Sequence, residues 1–315
     1  QAAGLQQALL HAERAYKHFF KGRAGYPRFK KRGERDSFSF PQYVSHDPQS
    51  RKLYLPKIGL VRCSDQTFSG AIKTVTVVRE GDGWYACIRT LKEVKPITTG
   101  TLAIGVDMGV AKMVTFSTEN GHARHFDHHP GLDKIIKRIN LLQEQMFRKQ
   151  RKDKVNSKNR EKARSRLVKA FARLANMRRD HLHKVSTALV GSYRTIIVED
   201  LKIKNMLRSA VGTVENPNIF SAAKRGLNRV IQKQAWGIFF QMLKYKCAWY
   251  GRTFIKVDPR NTSRTCPQCG HIAKENRESQ AVFRCVGCGH TANADHVGAL
   301  NVLRRGLSSL AATPA

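Results

Sequence analysis

The chain has 315 residues, with 57 Lys and Arg against 23 Asp and Glu, a formal net charge of +34 and a pI of about 10.4. Such a field attracts polyanions, and 41% hydrophobic residues still furnish a core, so a nucleic-acid partner is expected and a small-molecule substrate is not. No run of 18 apolar residues is present and nothing reads as a secretory leader, which argues against a membrane partner. Seven cysteines, four of them in two CxxC pairs, point to a reducing cytosol.

Residues 5–20 carry apolar side chains at helical spacing, from Leu5 to Phe20, and predict a helix with one buried face. Next, Arg28, Lys30 and Lys31 stand among further cations around Tyr26 and Phe29. Cations neutralise phosphates and rings offer stacking faces, so this is a candidate nucleic-acid contact; a solvated basic loop has the same composition. Alternating runs at 37–40, 52–55, 73–78 and 84–88, with a turn at 81–83, predict antiparallel strands of a small barrel or wrapped sheet, followed by a linker at 95–100.

From there the pattern is α/β. Strands are predicted at 102–106, 113–116 and 123–126, then a long helical stretch over 130–190. Residues 151–184 hold 13 Lys and Arg against 3 acids, while Leu167, Ala170, Phe171, Leu174 and Met177 keep one side apolar. This predicts a helical hairpin with a basic stripe, and Arg164, Arg166 and Arg178 are its candidate phosphate contacts. A buried strand at 195–198 ends in Glu199, residues 204–226 read as a mobile stretch, 227–250 as one apolar amphipathic helix, and 253–257 as the last strand. His125, His128 and His129 read as a polar loop, not a metal site. No glycine-rich phosphate loop is present.

Cys266-Pro-Gln-Cys269 and Cys285-Val-Gly-Cys288 are two C-x2-C pairs, each followed by glycine, Gly270 and Gly289. Two such knuckles deliver four thiolates to one zinc, and four ligands leave no open position, so the zinc is structural. Cys63, Cys87 and Cys247 read as small core residues.

With so few acids, those at special positions stand out. Asp107 directly follows one apolar strand, Glu199 another, and Asp295 opens a helical pattern just after the second knuckle. Singly, these read as a turn residue, a surface acid and an N-cap. Together they can converge on one sheet edge, and in so basic a chain convergent acids suit a two-metal site for phosphodiester chemistry, with two divalent ions between the acids and the phosphate.

Ile104-Gly-Val-Asp107-Met-Gly109, Ile197-Val-Glu199-Asp-Leu201 and Ala294-Asp295-His-Val-Gly-Ala-Leu-Asn301 resemble the three split segments of a RuvC nuclease domain. Thr262-Ser-Arg-Thr-Cys266-Pro-Gln-Cys269 and the second knuckle are similar to the zinc ribbon inserted before the third segment in TnpB (OrfB-type) proteins of insertion sequences. The resemblance extends over about residues 5–305. It implies an RNase H-like (RuvC) α/β core at 101–261 with segment III at 291–306, a zinc ribbon at 262–290, a β-rich wedge domain at 37–96, a helical recognition-lobe piece at 1–36 and a disordered tail at 307–315.

It also implies a transposon-encoded, RNA-guided DNA endonuclease with guide RNA and target DNA as partners, located in the prokaryotic cytoplasm and nucleoid-associated on DNA. Asp107, Glu199 and Asp295 would hold magnesium, and Arg264 would contact the scissile strand. TnpB chains carry an additional N-terminal stretch, and this one is expected to start inside it. The alternatives are a nucleic-acid-binding remnant that no longer cuts, and a transposase performing strand transfer.

Overall fold

The computed structural model describes residues 2–29, 36–64, 68–81, 83–100, 102–149, 157–208 and 221–311. Lys30 and Lys31 therefore lie outside the described residues. The chain divides into two compact units, Gln1–Glu93 with Ile135–Leu174, and Val94–Lys134 with Ala175–Ala315.

In the first unit, α1 (Ala2–Phe20) precedes β1 (Ser37–Phe40), β2 (Ser45–Asp47), β3 (Lys52–Leu55), β4 (Gly59–Arg62), β5 (Ala71–Glu80) and β6 (Gly83–Leu91). The described strands form two three-stranded antiparallel sheets, β1-β5-β6 and β2-β3-β4, where the sequence suggests one barrel or wrapped sheet. Period-two alternation sends Leu53 and Leu55 of β3 against Val75 and Val77 of β5, and these four side chains are the buried core between the sheets. The β2 and β4 strands escape sequence reading because they are short and bury no complete side chain. Helix α1 packs beside β1 and leaves Leu5, Leu9 and Phe20 exposed, so its apolar stripe is not the buried face that its spacing predicts.

The predicted hairpin corresponds to α2 (Leu132–Arg148) and α3 (Lys158–Ser192). Ile135, Ile139 and Leu142 of α2 are buried at helical spacing. The 35-residue α3 buries Ala163, Leu167 and Ala170 in its first half and Leu182, Val185 and Leu189 in its second. The unit boundary at Leu174 therefore cuts through this helix, instead of leaving the hairpin whole inside a 101–261 core.

The second unit is built on β7 (Ala103–Asp107), β8 (Val114–Thr118), β9 (Ala123–Phe126), β10 (Thr195–Glu199) and β11 (Thr253–Val257). They form one sheet in the order β11-β10-β7-β8-β9, with β11, β10 and β7 parallel and β8 and β9 antiparallel. Its central strands are near-continuous apolar runs because both faces are covered. Ile104, Val106, Ile196 and Val198 join Leu182 and Leu189 of α3 and, from α6 (Trp236–Trp249), Phe239 and Leu243. On the other face Ala103, Ile197 and Val257 meet Val302 and Leu303 of α7 (Ala294–Ala311). Gly105 makes this approach possible: a Cβ there would lie 2.1 Å from the Ala299 carbonyl oxygen and 2.4 Å from the Leu303 nitrogen.

Four further differences from the sequence reading have local causes. The helix predicted over 227–250 is two, α5 (Ser221–Gln234) and α6, broken at Ala235 with φ +54°. The break lets Ile231 and Trp236 enter the same core. Within the stretch read as mobile, α4 (Ile203–Met206) and the start of α5 are helical, and 209–220 lie outside the described residues. The tail read as disordered from 307 is helical to Ala311, because Leu307 packs beside Val302 and Leu303. The 95–100 segment is tied down, not a free linker: Ile97 N–H donates to the Tyr250 carbonyl at 3.0 Å, and the buried Arg252 guanidinium donates to the carbonyls of Thr99 and Gly100. Among the described residues no helix is long and apolar enough to cross a membrane.

Candidate active site and zinc centre

Asp107 is the last residue of β7 and Glu199 the last of β10. These strands are parallel neighbours in the register Val106↔Val198, so both acids leave the sheet at one edge. Asp295 is the second residue of α7, which packs along β7 and begins where the short ribbon strand β13 (Thr291–Asn293) ends. Thus two strand ends and a helix start bring the three acids into one field.

The electrostatics record that convergence. Asp107 is raised to about 7, first by burial and then by the charges of Glu199 and Asp295, with Arg277 and the Met108 amide opposing. Burial also raises Glu199, against the Thr262 hydroxyl bond and the cations Arg305 and Arg277. Thr262 Oγ1 donates to Glu199 Oε1 at 2.6 Å, and both residues are buried. A buried carboxylate such as Asp107, whose ionised form is disfavoured first by burial and then by two neighbouring acids, suits divalent cations, which supply the missing positive charge. The residues present therefore fit such a group.

Arg277 is a site residue that sequence reasoning missed. Its guanidinium lies 3.9 Å from Asp295 Oδ1 and donates to the Gln280 carbonyl at 3.2 Å. Nothing local marks it among 57 cations. Arg264, the arginine singled out for its place beside the first knuckle, has an exposed side chain; its carbonyl accepts from Asn276 Nδ2 at 2.8 Å.

The four cysteines come together as their spacing predicts. Among the described residues they are the one group of three or more His, Cys, Asp or Glu whose ligand atoms all lie within 4.8 Å of one another. Cys266 Sγ is 3.6 Å from Cys288 Sγ, and Cys269 Sγ is 3.5 Å from Cys285 Sγ. A tetrahedron with Zn–S bonds of about 2.3 Å has edges of about 3.8 Å, so the cradle fits zinc.

The knuckles repeat one design. Gly270 and Gly289 donate to the carbonyls of Cys266 and Cys285 at 3.0 and 2.9 Å, with φ of +75° and +74° that favour glycine. Burial works to raise the Cys285 thiol, yet the amides of Cys288 and Gly287 and the neighbouring thiols draw it down to about 6. Strand β12 (Val282–Arg284) pairs with β13 and buries Phe283 beneath the centre, against Cys266, Cys285 and Val297. Of the other cysteines Cys247 is buried and Cys63 half-buried, but Cys87 is exposed and is not a core residue.

The candidate nucleic-acid contacts separate into two kinds. Arg28, Arg164 and Arg166 are exposed cations in the first unit, and Phe29 and Tyr26 beside Arg28 are exposed rings. Arg178 is half-buried, burial lowers its pKa, and its Nε is enclosed without a hydrogen-bond partner, so it is less available to a phosphate than the exposed cations. Of the three histidines read as a polar loop, His125 instead lies on β9, with Nε2 3.8 Å from Asp127 Oδ2, while His128 Nε2 pairs with the Val110 carbonyl at 2.9 Å and His129 Nδ1 accepts from the Gly131 amide at 3.0 Å.

Comparison with known proteins adds three findings. Residues 85–210 match the family described as "Probable transposase" (OrfB_IS605), and residues 236–302 the family described as "Cas12f1-like, TNB domain". In sequence the chain is 43% identical over 309 residues, 98% of its length and 75% of the relative's, to the "Putative RNA-guided DNA endonuclease InsQ" of Escherichia coli K12. It is 32% identical over 313 residues, 98% of its length and 72% of the relative's, to a Streptomyces pristinaespiralis protein named for the same activity. In fold it is similar to a Cas12f1 solved with sgRNA and target DNA, at a TM-score of 0.56 and 16% identity, covering 96% of this chain and 70% of that one.

Proposed function

This chain belongs to the TnpB (OrfB_IS605) transposase family, and from that membership we propose that it is an RNA-guided, metal-dependent DNA endonuclease with a RuvC-type active site. What supports the reading is that two parallel neighbouring strands end in Asp107 and Glu199 and that the charges of Glu199 and Asp295 both act on Asp107, in a chain of net charge +34. Acids so placed repel a phosphate backbone unless cations stand between them.

Asp107, Glu199 and Asp295 would hold two magnesium ions. Bound there, such ions supply a water acidic enough to attack phosphorus and a charge for the leaving oxygen. The protein's own residues do the rest. The strand ends fix where Asp107 and Glu199 sit, and Thr262 holds the Glu199 carboxyl. Arg277 presents a guanidinium beside Asp295, where a phosphate oxygen can be received. Zinc on the four cysteines shapes the ribbon that carries Arg277 and leads into α7. The wedge-like pair of sheets and the basic hairpin grip RNA and DNA through their backbones while base pairing reads the sequence.

The test is to purify the chain from cells and sequence what it carries. A discrete RNA species is the expected result. Random or absent RNA overturns the guided reading.

A further inference from the structure

We propose that Thr262 is a positioning residue for Glu199, and that Asn301 of α7 holds Thr262 in place. The inference rests on the reading of Asp107, Glu199 and Asp295 as cation ligands. Its basis is a chain of short contacts that joins the turn before the first knuckle to Glu199 on one side and to α7 on the other.

Thr262 is 3% exposed and its hydroxyl donates to Glu199 Oε1 at 2.6 Å, a charge-assisted bond that fixes the plane of the carboxyl group. The hydroxyl is held in turn by a tight turn. Asn261 adopts φ +59°, and its carbonyl accepts from the Arg264 and Thr265 amides, both at 3.0 Å. The Pro259 carbonyl, 3.0 Å from Thr262 Oγ1, is the second acceptor for that one proton, at a longer distance than Glu199 Oε1.

The turn is fastened from outside by one buried side chain. Asn301 Nδ2 spends both its hydrogens on it, donating to the Thr262 carbonyl at 2.8 Å and the Thr265 carbonyl at 2.7 Å. Arg305, one helical turn on, donates to the Arg260 carbonyl at 2.8 Å. Helix α7 thus presents Asp295 directly and governs Glu199 at second hand, through Asn301 and Thr262. The same turn ends at the zinc ligand Cys266, so the metal ribbon and the carboxylate share one support.

A partner that orients a metal ligand is worth about 10–100-fold in metal affinity or activity. The test compares Thr262→Val, which keeps the shape and removes the hydroxyl, with Thr262→Ser, which keeps the hydroxyl, using Glu199→Gln as the reference. Mn2+ binding is measured by isothermal titration on the full chain with its co-purified RNA. Zinc content, target-DNA affinity and single-turnover cleavage rate are measured on the same preparations.

Thr262→Val is expected to weaken Mn2+ binding and slow cleavage by about 10–100-fold, with zinc content and DNA affinity unchanged, and Thr262→Ser is expected to recover most of both. Wild-type Mn2+ affinity in Thr262→Val, with Glu199→Gln impaired, overturns the positioning role alone. Equal loss in Val and Ser variants with zinc released overturns it in favour of a purely structural turn. Wild-type Mn2+ binding and cleavage in Glu199→Gln overturn both this role and the site it serves.

Discussion

A Cβ on Gly298 would lie 2.8 Å from Asp107 Oδ2, so any side chain that α7 carried there would push that carboxylate aside. Gly298 stands three residues after Asp295, on the same face of the helix. The helix that contributes one acid therefore also bounds the space of another.

That relationship predicts an unusual mutant. Gly298→Ala improves helix propensity by about 1 kcal/mol, and the atom it crowds is a side-chain tip that can turn aside. Thermal stability should therefore hold or rise. Cleavage should fall by roughly 100-fold, because displacing a reacting geometry by even 1 Å costs on that order. Melting curves and single-turnover rates on one preparation check the pair of effects; full activity would count against the placement of Asp107. Gly105→Ala is the contrast, since its Cβ meets the backbone of Ala299 and Leu303 and should destabilise the fold itself.

The raised Asp107 gives a pH prediction with a definite sign. The folded chain keeps its proton to about pH 7, while an unfolded aspartate releases it near 3.9. This group's contribution to metal-free stability is therefore complete below about pH 4 and is lost as pH rises through 7. Magnesium competes with that proton. The rise in melting temperature on adding Mg2+ should be larger at pH 8.5 than at pH 6, as differential scanning fluorimetry would show. A larger rise at the lower pH contradicts the assignment.

Zinc should be separable from catalytic magnesium. Cys285→Ser is expected to lose zinc, measured by elemental analysis, and to lower the melting temperature, since Phe283 and Val297 pack around that centre. Ser at the exposed Cys87 should leave zinc content unchanged. Zinc retained at wild-type level in Cys285→Ser would remove the four-thiolate centre from the account.

What could be read from the residues was local. An acid closing an apolar strand marks Asp107 and Glu199, and a fixed CxxC spacing marks the zinc cradle, because sheet ends and metal tetrahedra impose short-range patterns. Arg277 was illegible because its role depends on how the ribbon folds back toward Asp295, not on any neighbour in sequence. The break at Ala235 was equally hidden: alanine is the best helix former, and the break arises because Ile231 and Trp236 share one core. Exposure of α1's apolar side chains was hidden for the same reason, since periodicity predicts a face but not its cover.

The most direct test of the central claim is a cleavage assay. The chain and its co-purified RNA are given Mg2+ and a DNA duplex that matches the guide, with Asp107→Asn run beside the wild type. The account predicts that the wild type cuts, that Asp107→Asn binds the same DNA with nearly unchanged affinity, and that Asp107→Asn does not cut. Cleavage by Asp107→Asn at the wild-type rate would contradict it.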